Sequence, residues 1–469
     1  MNFTGRYNEI QVIRDHLDDE SKAKLVIVYG RRRVGKSTLI REALQKEKKK
    51  LFFEGIEGED TAVQIDQFLS DLSRQTGRVK LAARNWRESF QGLGETIGKG
   101  RWTVVFDEFP WMASGRSRLV ADLKLYWDRW MTNPQLTLFL CGSVAQFMVE
   151  YLVHSKAFHN RKTMELCLDP LSPRESGLFI PRRSLFEKAQ LYMTFGGIPK
   201  YLEQINPKIS IEKNINQLCF TANGFFIQEF ETLFKEQFKA VHTYESMVAH
   251  LSQGPLSISA LSRKMKVLRG GGFQGQLSNL VRAQFVREYS PHNFEGKKKG
   301  RTKIYKLVDP FLLFYFRYIR PHRDLIRRNK TENLFKTLVG PSQHTYYGLA
   351  FERLCEDALD DILKEIHLPL AEIKAMAPYF QQGNKFKKGL QIDQLIMRRD
   401  HVWTLMEYKY SPKPMDREVI VAVQEKIQKL SAPKHISIEP VLISASGVTP
   451  SVKKEGFFSS ILTLQDLVG

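Results

Sequence analysis

A chain of 469 residues with 42% hydrophobic and 26% charged residues has the length for about three domains of ~150 residues and the composition of a globular protein. No segment reads as a signal peptide, and the densest apolar run, Phe311 to Phe316, stops at Arg317, far short of the roughly 20 residues of a membrane span. Cys141, Cys167, Cys219 and Cys355 form no C-x-x-C pair, which argues against a disulfide framework or a zinc site and points to a reduced, cytoplasmic setting without membrane attachment.

The formal charge of +20 is unevenly spread. From Glu236 to Gly340 there are 20 Lys and Arg against 7 Asp and Glu, so +13 falls in under a quarter of the chain. Such a block favours a polyanionic partner; a solubilising basic surface is the plainer alternative.

An amphipathic helix with Ile10, Ile13 and Leu17 on one face opens the chain. A short buried strand, Leu25 to Tyr29, then runs into Gly30, Arg31, Arg32, Arg33, Val34, Gly35, Lys36, Ser37 and Thr38, the pattern G-x-x-x-x-G-K-[ST], and on into a helix. The glycines free the backbone so that successive N–H groups turn around a phosphate, and the helix N-terminus adds its partial positive charge. Lys36 then reaches the β and γ phosphates of ATP, and the Ser37 hydroxyl can ligate Mg²⁺.

Leu51 to Glu54 is a second strand, followed by helical stretches over Gln64 to Ser73 and Trp86 to Ile97. The apolar run Trp102 to Phe106 ends in Asp107 and Glu108. At the C-terminal end of a parallel strand beside the phosphate loop, Asp107 can hold the Mg²⁺ shell and Glu108 can polarise the attacking water. A third buried strand, Leu136 to Cys141, leads to Gly142 and Ser143, whose hydroxyl either meets the γ phosphate or caps the next helix. Strands alternating with helices predict an α/β doubly wound domain.

Phe3-x-Gly5-Arg6, GRRRVGKST, VVFDEF, LFLCGS and Phe195-Gly-Gly-Ile-Pro199-Lys-Tyr201-Leu together resemble the archaeal and bacterial ATPases of the AAA+/STAND-like P-loop group. The resemblance covers about half the chain. It implies a P-loop ATPase core over 1–182, a sensor role for Ser143, adenine-side contacts near Arg6, and a homo-oligomer in which Arg161 acts in a neighbour's site. By itself Arg161 is a polar residue in a basic loop. The aromatic-rich helical stretch over 183–238 then looks like the helical lid of such a core. Its Phe220, Phe225, Phe226, Phe230 and Phe234 recur at core spacing.

Residues 239–330 read as three helices followed by two strands, Val286 to Tyr289 and Thr302 to Leu307, joined by the basic loop His292 to Arg301. This is a winged helix-turn-helix pattern. A third helix with Gln274, Gln276, Asn279 and Arg282 outward can enter a DNA major groove while the loop meets phosphates, although such modules also dock proteins. Nucleic acid is the expected partner, DNA ahead of RNA.

In 331–469, Gly389 to Met397 and Val402 to Lys409 read as adjacent strands. Alternation puts Glu407 and Lys409 on one side, and a hairpin partner can present Asp393 opposite them. Two carboxylates and an amine at one point suit Mg²⁺ or Mn²⁺, with Glu352 on the preceding helix completing the shell and the lysine steadying or deprotonating water. The layout resembles the PD-(D/E)xK nuclease superfamily and implies its αβββαβ restriction-endonuclease-like core; Gln391-Ile-Asp393 stands where that pattern has Pro-Asp. The whole reads as an ATPase that couples nucleotide state to DNA binding and metal-dependent cleavage. The alternative is a nucleotide-switched scaffold with an inactive nuclease fold.

Overall fold

A computed structural model describes residues 3–113, 118–143, 147–156, 158–238, 241–289, 303–329, 333–381 and 389–469. The chain divides into two compact units, Met1–Pro170 with Ser278–Gln284, and Leu171–Leu277 with Phe285–Gly469.

In the first unit, β1 (Lys24–Gly30), β2 (Lys50–Glu54), β3 (Trp102–Asp107), β4 (Leu136–Gly142) and β5 (Met164–Leu168) form one parallel sheet in the order β2-β3-β4-β1-β5. The central strands β1 and β4 are buried almost throughout and mostly apolar because helices cover both faces of a parallel sheet. The helices are α1 (Tyr7–Asp18), α2 (Lys36–Ala43), α3 (Thr61–Thr76), α4 (Trp86–Ile97) and α5 (Leu119–Trp130). Caps fix their starts: the Asp60 side chain accepts the Ala62 and Val63 N–H groups, and Asn85 accepts from Glu88. Phe53, Phe68, Trp86, Phe90 and Phe106 fill the space between the sheet and α3 and α4, with neighbouring rings 4.2–6.1 Å apart. The order of strands sets β4 beside β1 and β3 beside β4, so the C-terminal ends of all three lie along one edge of the sheet with the phosphate loop.

In the second unit, α6 (Leu185–Phe195), α7 (Ile211–Cys219) and α8 (Phe226–Gln237) bury Phe220, Phe226, Phe230 and Phe234, with Phe225 partly covered. The strip after Asp309 adopts a short helix, Pro310–Phe314, and a π-helical turn, Tyr315–Ile319. Phe311 packs its ring 4.9 Å from Phe226 and 5.3 Å from Tyr201. Next come α9 (Val241–Leu251), a two-residue strand β6 (Leu256–Ser257), α10 (Ile258–Met265), capped by Ser257, and α11 (Gly271–Arg282), whose residues from Ser278 on are counted with the first unit. A hairpin of β7 (Val286–Tyr289) and β8 (Ile304–Leu307) follows, and β6 pairs with β8. Gln274 and Arg282 are exposed, while Gln276 and Asn279 are half-buried. The basic loop His292 to Arg301 lies outside the described residues.

Last come α12 (Gln343–Asp357), β9 (Ile373–Gln381), β10 (Leu390–Arg398), β11 (Val402–Lys409), α13 (Glu418–Lys429), β12 (Ser437–Ser444) and β13 (Ser460–Leu462). The sheet runs β13-β12-β11-β10-β9, antiparallel among β9 to β11 and parallel from β11 to β13. Val419, Ile420 and Val423 of α13 seal one face over Leu395, Trp403, Leu405 and Leu442. Pro378 is tolerated in β9 because that strand is an edge.

Candidate functional site

The turn from β1 into α2 needs backbone angles that side chains oppose. Gly30 has φ 153°, and a Cβ there would meet the Leu168 carbonyl oxygen at 2.5 Å; Gly35, the N-cap of α2, has φ 87°. Arg33 also adopts a left-handed conformation, φ 69°. Lys36 is buried, and its Nζ donates to the carbonyls of Gly30 at 3.2 Å and Arg31 at 2.9 Å. Burial pushes this ammonium below its ordinary range, and the charges of Glu108 and Asp107 work against that fall. Those three groups therefore share one electrostatic neighbourhood. Ser37, in the first turn of α2, is half-buried, and Thr38 is exposed.

The three consecutive arginines have distinct surroundings. Arg31 is buried. Arg32 lies over the Trp111 ring, 5.0 Å from its centroid, and pairs with Glu57 at 3.4 Å. Arg33 occupies the left-handed turn. Arg6, itself left-handed with φ 62°, is buried and donates to the carbonyls of Val34 and Asp169 and to Glu9 at 2.9 Å. It thus ties the chain's start to the phosphate loop.

Asp107 ends β3 and is buried; its Oδ1 accepts the Glu108 N–H at 3.0 Å. Glu108 sits at φ 45°, ψ 44°, which turns its carboxylate toward β4. There Oε2 accepts the Ser143 N–H at 3.2 Å and Oε1 accepts the Ser143 hydroxyl. Ser143 thus holds the Glu108 carboxylate through both its N–H and its hydroxyl. Arg161 makes a two-pronged pair with Asp128, with Nη2 to Oδ2 at 2.9 Å, which lowers the Asp128 carboxyl and raises the guanidinium. Its use in a neighbouring subunit would require breaking that pair.

The second cluster lies at one end of the mixed sheet. The β10–β11 register runs to Gln394 opposite Met406, and Asp393 and Glu407 are the next residue of each strand. A bulge in β10 between Ile392 and Leu395 breaks the alternation where Asp393 sits, and such insertions re-aim a side chain. The Asp393 carboxylate takes the Tyr408 N–H at 2.8 Å. Glu407 is 1% exposed; Oε1 accepts from Lys409 at 2.7 Å, and both oxygens accept from Lys426 of α13, at 2.8 and 2.6 Å.

Asp393, Glu407, Lys409, Lys426 and Glu352 of α12 line a cleft of about 670 Å³. Burial first, and then the Glu407 charge, push Asp393 above the usual carboxylate range. Burial and then Asp393 push Glu352 up to about 7. Burial opposes the Lys409 charge, yet Glu407, with Asp393 and Glu352 behind it, holds the ammonium above its ordinary range. A lysine so held steadies negative charge; it is a poor base for water.

Among the described residues, no three His, Cys, Asp or Glu side chains converge closely enough to hold an ion by themselves. The pair Asp393 and Glu407 fits Mg²⁺ or Mn²⁺ nonetheless, because such ions are commonly held by one or two carboxylates, with water and substrate phosphate filling the shell. A carboxylate that burial and a neighbouring negative charge raise, as burial and Glu407 raise Asp393, is a group that a divalent cation relieves. Lys426 carries no sequence signature: within EVIVAVQEKIQK it reads as one more charge on an amphipathic helix.

Residues 3–205 match a family described as an ATPase domain predominantly from Archaea, and residues 315–420 match one described as archaeal and bacterial proteins of unknown function. An uncharacterized protein of Methanocaldococcus jannaschii is 24% identical over 398 residues, 84% of each chain. Among solved structures, a Walker-type ATPase of Pyrococcus abyssi overlaps with a TM-score of 0.48 at 19% identity, covering 67% of this chain and 96% of that one. The ORC2 protein of Aeropyrum pernix, in ADPNP–ADP complexes, overlaps at 0.41 and 14%, covering 70% and 96%. The stretch similar to an ATPase domain thus contains the β1–α2 turn and the whole parallel sheet. No helix among the described residues is long and apolar enough to cross a membrane.

Proposed function

We propose that the protein binds and hydrolyses ATP at the β1–α2 turn and couples nucleotide state to DNA binding and metal-dependent DNA cleavage at the β10–β11 cleft. The observation that carries the cleavage half is that Asp393, Glu407, Lys409 and Glu352 line one cleft, with Asp393 on the Tyr408 N–H and Lys409 on Glu407. The element order from α12 through β12, with a second short helix Leu359–Glu365 before three strands, a helix and a strand, supports the same reading.

At the nucleotide site, incoming phosphate oxygens replace the Gly30 and Arg31 carbonyls as partners of the Lys36 ammonium. Ser37 and Asp107 are the residues to hold Mg²⁺ there. Glu108 must leave Ser143 to orient water, and Ser143 is then free to face the γ phosphate. That exchange links hydrolysis to a small rearrangement of β4. At the cleft, Asp393 and Glu407 would hold Mg²⁺ or Mn²⁺, with Glu352 beside them, and Lys409 would face the charge that grows on the scissile phosphate. A bound divalent ion supplies polarisation of the phosphate and a water of lowered pKa. The three helices and hairpin over 241–307 are the segment proposed to grip DNA, by virtue of the basic block.

ATP at 100 times its dissociation constant stabilises the bound form by about 2.7 kcal/mol, enough to bias a domain arrangement held by a modest interface. The reading is tested on supercoiled plasmid with Mg²⁺ or Mn²⁺, with and without ATP. Nicking by the wild type that Lys409→Ala abolishes is the expected result; intact plasmid under every condition refutes cleavage. One observation favours a second reading: Glu407 is already neutralised by two lysines, as in a nuclease fold kept for gripping nucleic acid. That reading predicts intact plasmid with DNA retention unaffected by Asp393→Asn.

A further inference from the structure

Glu407 holds more cation than the proposed chemistry uses. Lys409 occupies one oxygen from two residues along the same strand, and that strand fixes it in the cleft. Lys426 reaches in from α13 on a flexible four-carbon stem and occupies both oxygens. Charge-assisted bonds of this length are strong, and a divalent ion using Glu407 must displace at least one. The Lys426 side chain is 24% exposed and that of Lys409 37%, and Glu425 and Lys429, paired at 3.0 Å, line the same cleft. Of the two ammonium groups, Lys426 alone bonds both Glu407 oxygens, so a divalent ion that uses either oxygen meets it.

We propose that Lys426 is a resident cation that occupies the Glu407 carboxylate in the metal-free protein and sets the divalent-ion concentration at which the cleft fills. It is a positioning residue: it aims Glu407 until the ion arrives, then turns toward the entering phosphate. The proposal rests on the metal-site reading of the cleft. Its consequence is the opposite of ordinary support. Removing a supporting residue weakens metal binding; removing a competitor tightens it.

The test is Mn²⁺ alone, titrated into the full-length protein without nucleotide or DNA and followed by the electron paramagnetic resonance signal of free Mn²⁺. The relevant binding is the fraction that Glu407→Gln removes. Lys426→Gln is expected to tighten that fraction about tenfold, the scale on which one charge-assisted bond changes an equilibrium. Lys426→Arg, which keeps the charge, is expected to match the wild type. If Glu407-dependent binding exists and Lys426→Gln leaves it unchanged or weakens it, the role of Lys426 is wrong while the metal site stands. If no variant, Lys426→Gln included, shows Glu407-dependent binding, the metal site itself falls and the proposal with it. Circular dichroism of Lys426→Gln and Lys426→Arg guards against misfolding, and a fold defect would weaken binding in place of tightening it.

Discussion

Replacing Glu352 by glutamine isolates the electrostatic strain of the cleft. Burial and Asp393 raise the Glu352 carboxyl from 4.5 to about 7, so the folded chain keeps a proton that the unfolded chain has released. Between those two values folding takes up a proton, and stability falls as pH rises. Above about 7 the full penalty applies. At 1.36 kcal/mol per unit the shift corresponds to about 3.4 kcal/mol, and partial exposure to solvent discounts this to about 1–2 kcal/mol. Glutamine matches the shape of the protonated acid and has no charge to lose. Glu352→Gln is therefore expected to stabilise its surroundings by about 1–2 kcal/mol at pH 8 and to change little at pH 4.5. Amide hydrogen exchange of Gln343–Asp357 and Val402–Lys409 reads this locally, as roughly 5- to 30-fold slower opening at pH 8. A gain equal at both pH values, or a loss at pH 8, refutes the assignment of strain to the ionised carboxylate.

Lys36→Ala should abolish ATP turnover and the thermal stabilisation that saturating ATP gives the wild type, whereas Glu108→Gln should keep the stabilisation and lose turnover; phosphate release and melting curves separate the two. If the basic block makes about five phosphate contacts, log affinity for duplex DNA should fall with log salt at a slope near −4 to −5, and a slope near zero would point to a protein partner. Asp309 caps the buried strip Pro310–Phe314 by accepting the Leu312 N–H at 2.6 Å, so Asp309→Ala should cost about 1–2 kcal/mol in denaturant unfolding; no measurable loss would mean water replaces the cap.

The phosphate loop is legible in the sequence because its parts are contiguous: strand, glycines, lysine and helix each occupy their own place between Leu25 and Leu44. Asp107 and Glu108 are legible for a related reason, since a buried strand ends on them. Strand β5 escapes notice because it is an edge whose Glu165 and Cys167 face water, which dilutes the apolar signal to Leu168. Strand β9 is hidden by Pro378, which reads as a breaker until the strand is seen to lie at an edge. The nearness of Asp393 and Glu407 follows from a hairpin register, yet the bulge that re-aims Asp393 has no local signature. Lys426 is the clearest case of a residue defined only by tertiary contact. It meets Glu407 across 19 residues of chain, and its own helix explains it fully as a surface lysine. The bond between Ser143 and Glu108 is of the same kind, since it joins the ends of two strands 35 residues apart.

The most direct measurement follows ATP turnover and plasmid cleavage side by side in the wild type, Lys36→Ala and Asp393→Asn. The account predicts that Asp393→Asn loses cleavage and keeps turnover, while Lys36→Ala loses turnover and leaves cleavage indifferent to ATP. Loss of both activities in Asp393→Asn, or cleavage that survives it, would contradict two separate sites in one chain.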